Sequence, residues 1–139
     1  MSLSDAFVKR FKKRHSVVVG ITRSGKTVFT ARVLERLQRL GTHTIFVDPK
    51  HDESFAKLGT VCYDPMDVYE CLLRKVNAIV FRPPATADER TASLDRVVEL
   101  VFMLQKTDGY KRIRRVIAID ELQLFVKKGS SKAIEMLWT

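Results

Sequence analysis

Gly20 and Gly25 bracket four residues, and Lys26 and Thr27 follow at once, so that Gly20-Ile21-Thr22-Arg23-Ser24-Gly25-Lys26-Thr27 has the GxxxxGKS/T spacing of a phosphate-binding loop. The chemistry needs those residue types in those places. Glycines let the backbone curl so that its N–H groups point inward at phosphate oxygens, the lysine ammonium reaches the β- and γ-phosphates, and the threonine hydroxyl ligates Mg²⁺. All eight residues are therefore candidate nucleotide contacts, with Lys26 also a candidate catalytic group and Thr27 a candidate metal ligand. The small molecules implied are ATP and Mg²⁺. The competing explanation is a glycine-rich turn that binds nothing, and the flanking sequence weighs against it. His15-Ser16-Val17-Val18-Val19 before the run has the character of a buried strand, and Thr27 to Leu40 after it has that of a helix. Strand, glycine-rich loop and helix in that order are what phosphate binding at a helix N-terminus requires.

A second candidate lies near the other end, at Val116-Ile117-Ala118-Ile119-Asp120-Glu121. Four apolar residues predict a strand buried on both faces, with two carboxylates at its C-terminal tip. Such a pattern is common by itself. Downstream of a phosphate loop it takes the form of a Walker B motif, in which Asp120 accepts hydrogen bonds from Mg²⁺-bound water and Glu121 polarises the attacking water. Between the two motifs, Asp48-Pro49-Lys50-His51-Asp52-Glu53 follows the apolar run Thr44-Ile45-Phe46-Val47. The C-terminal ends of strands are where open α/β sheets bind ligands. The same residues also suit a simple turn, with Pro49 ending the strand and Asp48 bonding nearby backbone, and both readings stand.

The elements that must position these groups are legible from periodicity. After the loop, Val28, Ala31, Val33, Leu34, Leu37 and Leu40 form one apolar stripe, and Gly41 stops the helix. Thr44–Val47 and Ala78–Phe81 predict strands, with a weaker apolar piece at Val61-Cys62-Tyr63. The turn former Asp64-Pro65 precedes a helix carrying Val68, Tyr69, Leu72 and Leu73. A long helix is expected from about Asp88 through Leu94, Val97, Val98, Val101 and Leu104 to Lys106, ended by Asp108-Gly109. At the N-terminus Ser4-Asp5 are candidate helix caps, followed by Phe7, Val8 and Phe11 with Lys9, Arg10, Lys12, Lys13 and Arg14 on the remaining face. Such a basic amphipathic helix fits contact with nucleic acid, an anionic membrane surface, or the side of its own domain. Residues 1–14 are accordingly separated as a basic N-terminal helix from a nucleotide-binding domain over residues 15–139.

The 139-residue length suits one compact domain. A formal charge of +9 favours a polyanionic partner, although a nucleotide site accounts for part of the excess. Lys9, Arg10, Lys12, Lys13, Arg14 and Lys50 are the candidate nucleic-acid contacts. Arg114 and Arg115 precede the last strand and fit phosphates, a neighbouring subunit or solvent equally well, so they receive no assignment. Cys62 and Cys71 match no zinc or redox spacing and read as buried thiols, and His15, His43 and His51 lack metal-ligand spacing. The sequence has no apolar run of membrane-spanning length and no signal-peptide pattern, which together with the thiols leads to an expected cytoplasmic location.

Gly20 to Thr27, Val47-Asp48-Pro49-Lys50 and Ile119-Asp120-Glu121 together resemble the FtsK/HerA superfamily of DNA-pumping ATPases. The Asp-Pro-Lys is similar to the FtsK branch, and Leu122, Phe125 and Val126 after the carboxylates resemble the HerA-like proteins. The small size is most similar to the viral genome-packaging branch. The resemblance implies an α/β P-loop NTPase fold of the additional-strand, catalytic-glutamate type, with a largely parallel central sheet flanked by helices. It also implies ATP hydrolysis coupled to movement of double-stranded DNA, and a homo-oligomeric ring, commonly a hexamer. In a viral setting the host cytoplasm or virion becomes the location, and the basic helix a contact for capsid or membrane. Members of the superfamily continue past Walker B into a strand that inserts beside the P-loop strand, and an arginine near there reaches the neighbouring subunit's ATP. Here the chain ends at Leu137-Trp138-Thr139 with neither in view, so the domain is expected to be incomplete at its C-terminal strands. Two other functions compete: a different P-loop enzyme such as a small-molecule kinase, and a nucleotide-stabilised module that anchors nucleic acid or membrane.

Overall fold

The computed structural model describes residues 4–6, 25–121 and 124–125, with Lys26 and Thr27 described in their backbone alone. The strand expected at His15–Val19, the basic cluster Lys9, Arg10, Lys12, Lys13 and Arg14, the loop residues Gly20, Ile21, Thr22, Arg23 and Ser24, and Leu122 and Val126 lie outside the described residues. In chain order the elements are α1 (Lys26–Arg39), β1 (His43–Val47), a 3₁₀ helix (Glu53–Leu58), β2 (Thr60–Cys62), α2 (Pro65–Leu73), β3 (Ala78–Phe81), α3 (Ala87–Gln105) and β4 (Arg115–Ile119). The strands form one four-stranded sheet in the order β2-β3-β1-β4. Every pairing is parallel: β1 aligns Val47 with Phe81 of β3 on one side and with Ile119 of β4 on the other, and β2 aligns Cys62 with Phe81. This is the α/β P-loop architecture that the sequence predicts.

Parallel strands must be covered on both faces, and side chains alternate to supply both. Ile45, Val47, Cys62, Ile79 and Phe81 turn to one face, where Val68, Cys71 and Leu72 of α2 and Leu94, Val97, Val98 and Val101 of α3 bury them together with Phe125. Phe46 and Val80 turn to the other face, against Leu34 of α1 and Phe55 and Leu58 of the 3₁₀ helix. The Phe46 and Phe55 rings lie 4.3 Å apart between centroids, so the 3₁₀ helix is anchored by an aromatic pair. β4 is packed on both faces, but all five of its residues are only half-buried, since it is the edge strand among those described.

Two local devices set where the chain goes next. At the end of α1, Gly41 takes φ +85 while its N–H bonds the Gln38 carbonyl at 3.0 Å and the Thr42 N–H bonds the Leu37 carbonyl at 3.0 Å. That paired closure is a Schellman motif, and it delivers the chain directly into β1. Because the connection is so short, α1 runs back along β1 and its N-terminus returns to the edge where β1 ends. The start of α2 is set by Asp64, whose side chain accepts from the Met66 N–H at 2.7 Å, with Pro65 at the first helical position. Asp5 pairs with Arg36 of α1 at 2.7 Å in an exposed contact of small energetic worth.

Candidate active site

The C-terminal ends of all four strands lie along one edge of the sheet because all four are parallel, and the polar residues that follow them converge there. β1 is succeeded by Asp48, β3 by Arg82, and β4 by Asp120 and Glu121. Asp120 is held against β1 by its N–H, which donates to the Val47 carbonyl at 3.0 Å. Asp48 and Asp120 thus occupy matching positions on neighbouring strands. Gly25 precedes α1 at the same edge with φ +88, a conformation that a side chain would strain, and the Phe29 N–H closes the first turn on the Gly25 carbonyl at 2.9 Å. Lys26 and Thr27 therefore sit in the first helical turn, where unpaired N–H groups and the helix dipole favour an anion.

Glu121 is largely buried and accepts an ion pair from Lys50 Nζ at 3.0 Å, while the Lys50 side chain remains half exposed. That hydrogen bond and charge raise the Lys50 pKa above the ordinary lysine value. Glu121 itself has φ +53, in the left-handed region that costs a non-glycine residue roughly 1 kcal/mol. Strain of this kind collects at functional sites, where the surroundings over-determine the backbone. The sequence nominated Lys50 as a nucleic-acid contact. The structure instead brings it to Glu121, a pairing invisible without knowing that β1 and β4 are neighbours.

Asp48 and Arg82 were not nominated as site residues, and they are the best-buried charges of the molecule among those described. Asp48 is 0 % exposed and Arg82 4 % exposed, and Arg82 Nε lies 3.3 Å from Asp48 Oδ2. The guanidinium also donates to Glu53 Oε1 and the Tyr63 hydroxyl, both at 3.3 Å, and to the Asp52 carbonyl at 3.1 Å. One side chain thereby ties together the segments that follow β1, β2 and β3. Asp48 Oδ2 accepts further from the Asp52 N–H at 2.9 Å, which folds residues 48–52 into a turn. His51 is placed by a 2.8 Å hydrogen bond between its Nε2 and the Pro83 carbonyl oxygen. The turn reading of this segment is thus realised. Burial raises the Asp48 pKa; the Asp52 N–H and Arg82 oppose the shift, and the Asp120 and Asp52 carboxylates add to it. Its Oδ1 is buried with no hydrogen-bond partner among the described residues. Nothing in the sequence sets Arg82 apart, since it simply follows the apolar run Ala78–Phe81.

An unpartnered carboxylate oxygen beside Asp120, at the edge holding the N-terminus of α1, suits a hard divalent cation carried by a polyphosphate. Mg²⁺ bound with phosphates needs only one or two protein carboxylates and keeps its waters. Among the described residues no group of three His, Cys, Asp or Glu residues is placed to cage a metal by itself. Asp120 and Glu121 are the two carboxylates that β4 brings to this edge beside Asp48.

Residues 9–139 match the AAA domain family, an extent that takes in both motifs and the whole sheet. The chain belongs to the AAA domain family. It is therefore a P-loop NTPase of the nucleotide-hydrolysing class, and the resemblance to that class drawn from Gly20–Thr27 holds at this level. Searches of curated proteins and of solved structures gave no match. No helix among the described residues of this AAA domain is long and apolar enough to cross a membrane.

Proposed function

We propose that this AAA domain is the ATP-hydrolysing subunit of a motor that moves double-stranded DNA, acting in a homo-oligomeric ring. The observation that carries the hydrolytic half is the placement of Asp120 and Glu121 at the tip of β4, beside Asp48 and at the edge where α1 begins. Mg²⁺, when bound, neutralises phosphate charge and polarises the bond to be broken. The chain's own residues do the rest. Backbone N–H groups after Gly25 and the Lys26 ammonium bind and orient the phosphates, and Asp120 with Thr27 would hold the ion. Glu121 orients a water for in-line attack and accepts its proton at a carboxylate oxygen. Glu121 directly after Asp120 suits activation of water better than transfer to an organic acceptor, which disfavours a small-molecule kinase.

The motor half rests on the chain's net charge of +9 and on the Asp48-Pro49-Lys50 and Ile119-Asp120-Glu121 sequences, which resemble DNA-pumping ATPases. Genome packaging is the narrowest form of that reading. Steady-state phosphate release with and without double-stranded DNA tests it, with faster turnover expected when DNA is present. Hydrolysis indifferent to DNA would leave an ATPase but remove the motor, and an absence of hydrolysis would favour an anchoring module.

A further inference from the structure

At the opposite edge of the sheet, where the strands begin, the chain builds a second polar cavity of about 520 Å³. Its lining includes Thr42 before β1, Gln105 at the end of α3, and Lys111, Arg112, Arg114 and Arg115 leading into β4. The His43 N–H donates to the Arg114 carbonyl at 2.8 Å, and His43 aligns with Arg115 in the sheet, so Thr42 and the arginines are held at fixed register. Polar groups here are buried without partners. Thr42 is 1 % exposed, and among the described residues its hydroxyl, Arg115 Nη2 and His43 Nδ1 have no hydrogen-bond partner. Those atoms are sealed from solvent, so what the cavity presents to a ligand is its rim of exposed cations, Lys111, Arg112 and Arg114.

Charge decides what kind. Residues 106–115 carry Lys106, Lys111, Arg112, Arg114 and Arg115 against one carboxylate, Asp108, which pairs with Lys111 at 2.9 Å. Both α1 and α3 end near this edge, and their carbonyl ends disfavour anions. In α1, however, the carbonyls of Arg36, Leu37 and Gln38 are already taken by the N–H groups of Leu40, Gly41 and Thr42. Four cations within five residues outweigh what remains. Arginine in particular matches phosphate oxygens in a bidentate fork.

We propose that this N-terminal edge of the sheet is a phosphate-binding site for the phosphodiester backbone of nucleic acid, separate from the nucleotide site. Arg112 and Arg114 meet phosphates at the rim, with Lys111 beside them and the half-buried Arg115 adding its charge beneath. The site assigns a role to Arg114 and Arg115, which the sequence alone leaves open. The choice of nucleic acid as ligand rests on the motor reading above, whereas the cavity and its cations do not.

The test is binding of a short fluorescently labelled DNA duplex, followed by anisotropy across a series of salt concentrations without ATP, so that the outcome is independent of hydrolysis. Arg112→Gln/Arg114→Gln removes two exposed charges without touching the core. It should reduce the slope of log affinity against log salt by about 1.8, at about 0.9 for each phosphate no longer neutralised. Arg112→Lys/Arg114→Lys should restore most of that slope. An unchanged slope and affinity in the double glutamine variant overturns the proposal. Inorganic pyrophosphate binding that depends on Arg112 and Arg114 while duplex binding does not also overturns it, since the site would then serve a small free anion.

Discussion

Glu121 combines a left-handed backbone, near burial and an ion pair with Lys50, and each constrains where its carboxylate can point. A water-activating group needs its negative charge more than it needs bulk, so Glu121→Gln should keep nucleotide binding and slow hydrolysis by about a hundredfold or more. Calorimetric nucleotide titration beside phosphate release measures both, and wild-type turnover in this variant would remove Glu121 from the chemistry. Asp120→Asn should instead raise the Mg²⁺ concentration needed for half-maximal rate. The sequence singles out these two residues only because a phosphate loop precedes them, since a carboxylate pair after an apolar strand is common by itself. Their partner Lys50 was not, since side-chain pairing across strands depends on sheet order. The cysteines offer a second check at this scale. Burial, followed by the nearby Cys71, pushes the Cys62 thiol up to about 12, with the two sulfurs 3.8 Å apart. Only thiolates alkylate readily, so Cys62 should resist iodoacetamide at pH 8 in the folded protein and react once urea is added. Labelling of the native protein at the unfolded rate, read by mass spectrometry of the Cys62 peptide, would contradict this packing.

The elements most legible in the sequence are those whose periodicity is long or whose boundaries carry chemistry. α1 ends at its glycine, α2 begins at Asp64-Pro65, and α3 follows its apolar stripe, all close to where pattern and capping place them. The 3₁₀ helix at Glu53–Leu58 has no such signature. Its two buried residues, Phe55 and Leu58, are spaced for a single turn, and only the pairing of Phe55 with Phe46 reveals why it forms. β4 reads as buried on both faces, yet it is half-buried and stands at an edge among the described strands, and hydrophobicity alone does not encode which strand takes that place. Gly59 is another element-level feature that composition hides. Its φ is extended, so backbone freedom is not the reason for glycine; a Cβ there would stand 2.5 Å from the Ala78 carbonyl carbon and 2.6 Å from its oxygen. Both of those atoms are backbone, so the 3₁₀ helix, β2 or β3 must shift to relieve the clash. Gly59→Ala should therefore destabilise the fold by about 1–3 kcal/mol, in line with overpacking elsewhere. Urea denaturation measures this, and a stability within experimental error of wild type would mean that the approach of residue 59 to β3 is looser than described.

Across the whole molecule, the sheet order β2-β3-β1-β4 separates two chemistries, with carboxylates at the edge where strands end and arginines at the edge where they begin. The carboxylate edge holds its shape through Arg82. Its contacts reach Asp48, Asp52, Glu53 and Tyr63, so its removal should be felt beyond one loop. Breaking a buried ion pair by deleting one partner leaves the other charge stranded, at a cost of about 3–5 kcal/mol. Arg82→Met, which keeps much of the apolar stem, should lose stability on that scale at pH 7. The pH dependence identifies the source of the loss. Burial is the largest influence on Asp48 and already raises its pKa in the native fold, so the folded state holds that proton more tightly than the unfolded chain. A raised folded pKa contributes stability that is complete below the unfolded value near 3.8 and is lost as pH rises through the folded value. Taking away the Arg82 charge removes one influence that keeps Asp48 ionised, which moves the folded value higher still and widens that window upward from 3.8. The deficit of Arg82→Met relative to wild type should consequently shrink as pH is lowered from neutrality towards that window, because a proton replaces the missing guanidinium. Adding Asp48→Asn to Arg82→Met should mimic the proton and recover part of the loss at pH 7. Urea unfolding of wild type, both single variants and the double variant, at neutral and mildly acidic pH, closes the cycle. A deficit that is the same at both pH values and untouched by Asp48→Asn would place the cost in the missing hydrogen bonds to Glu53, Tyr63 and Asp52, and not in the buried charge of Asp48.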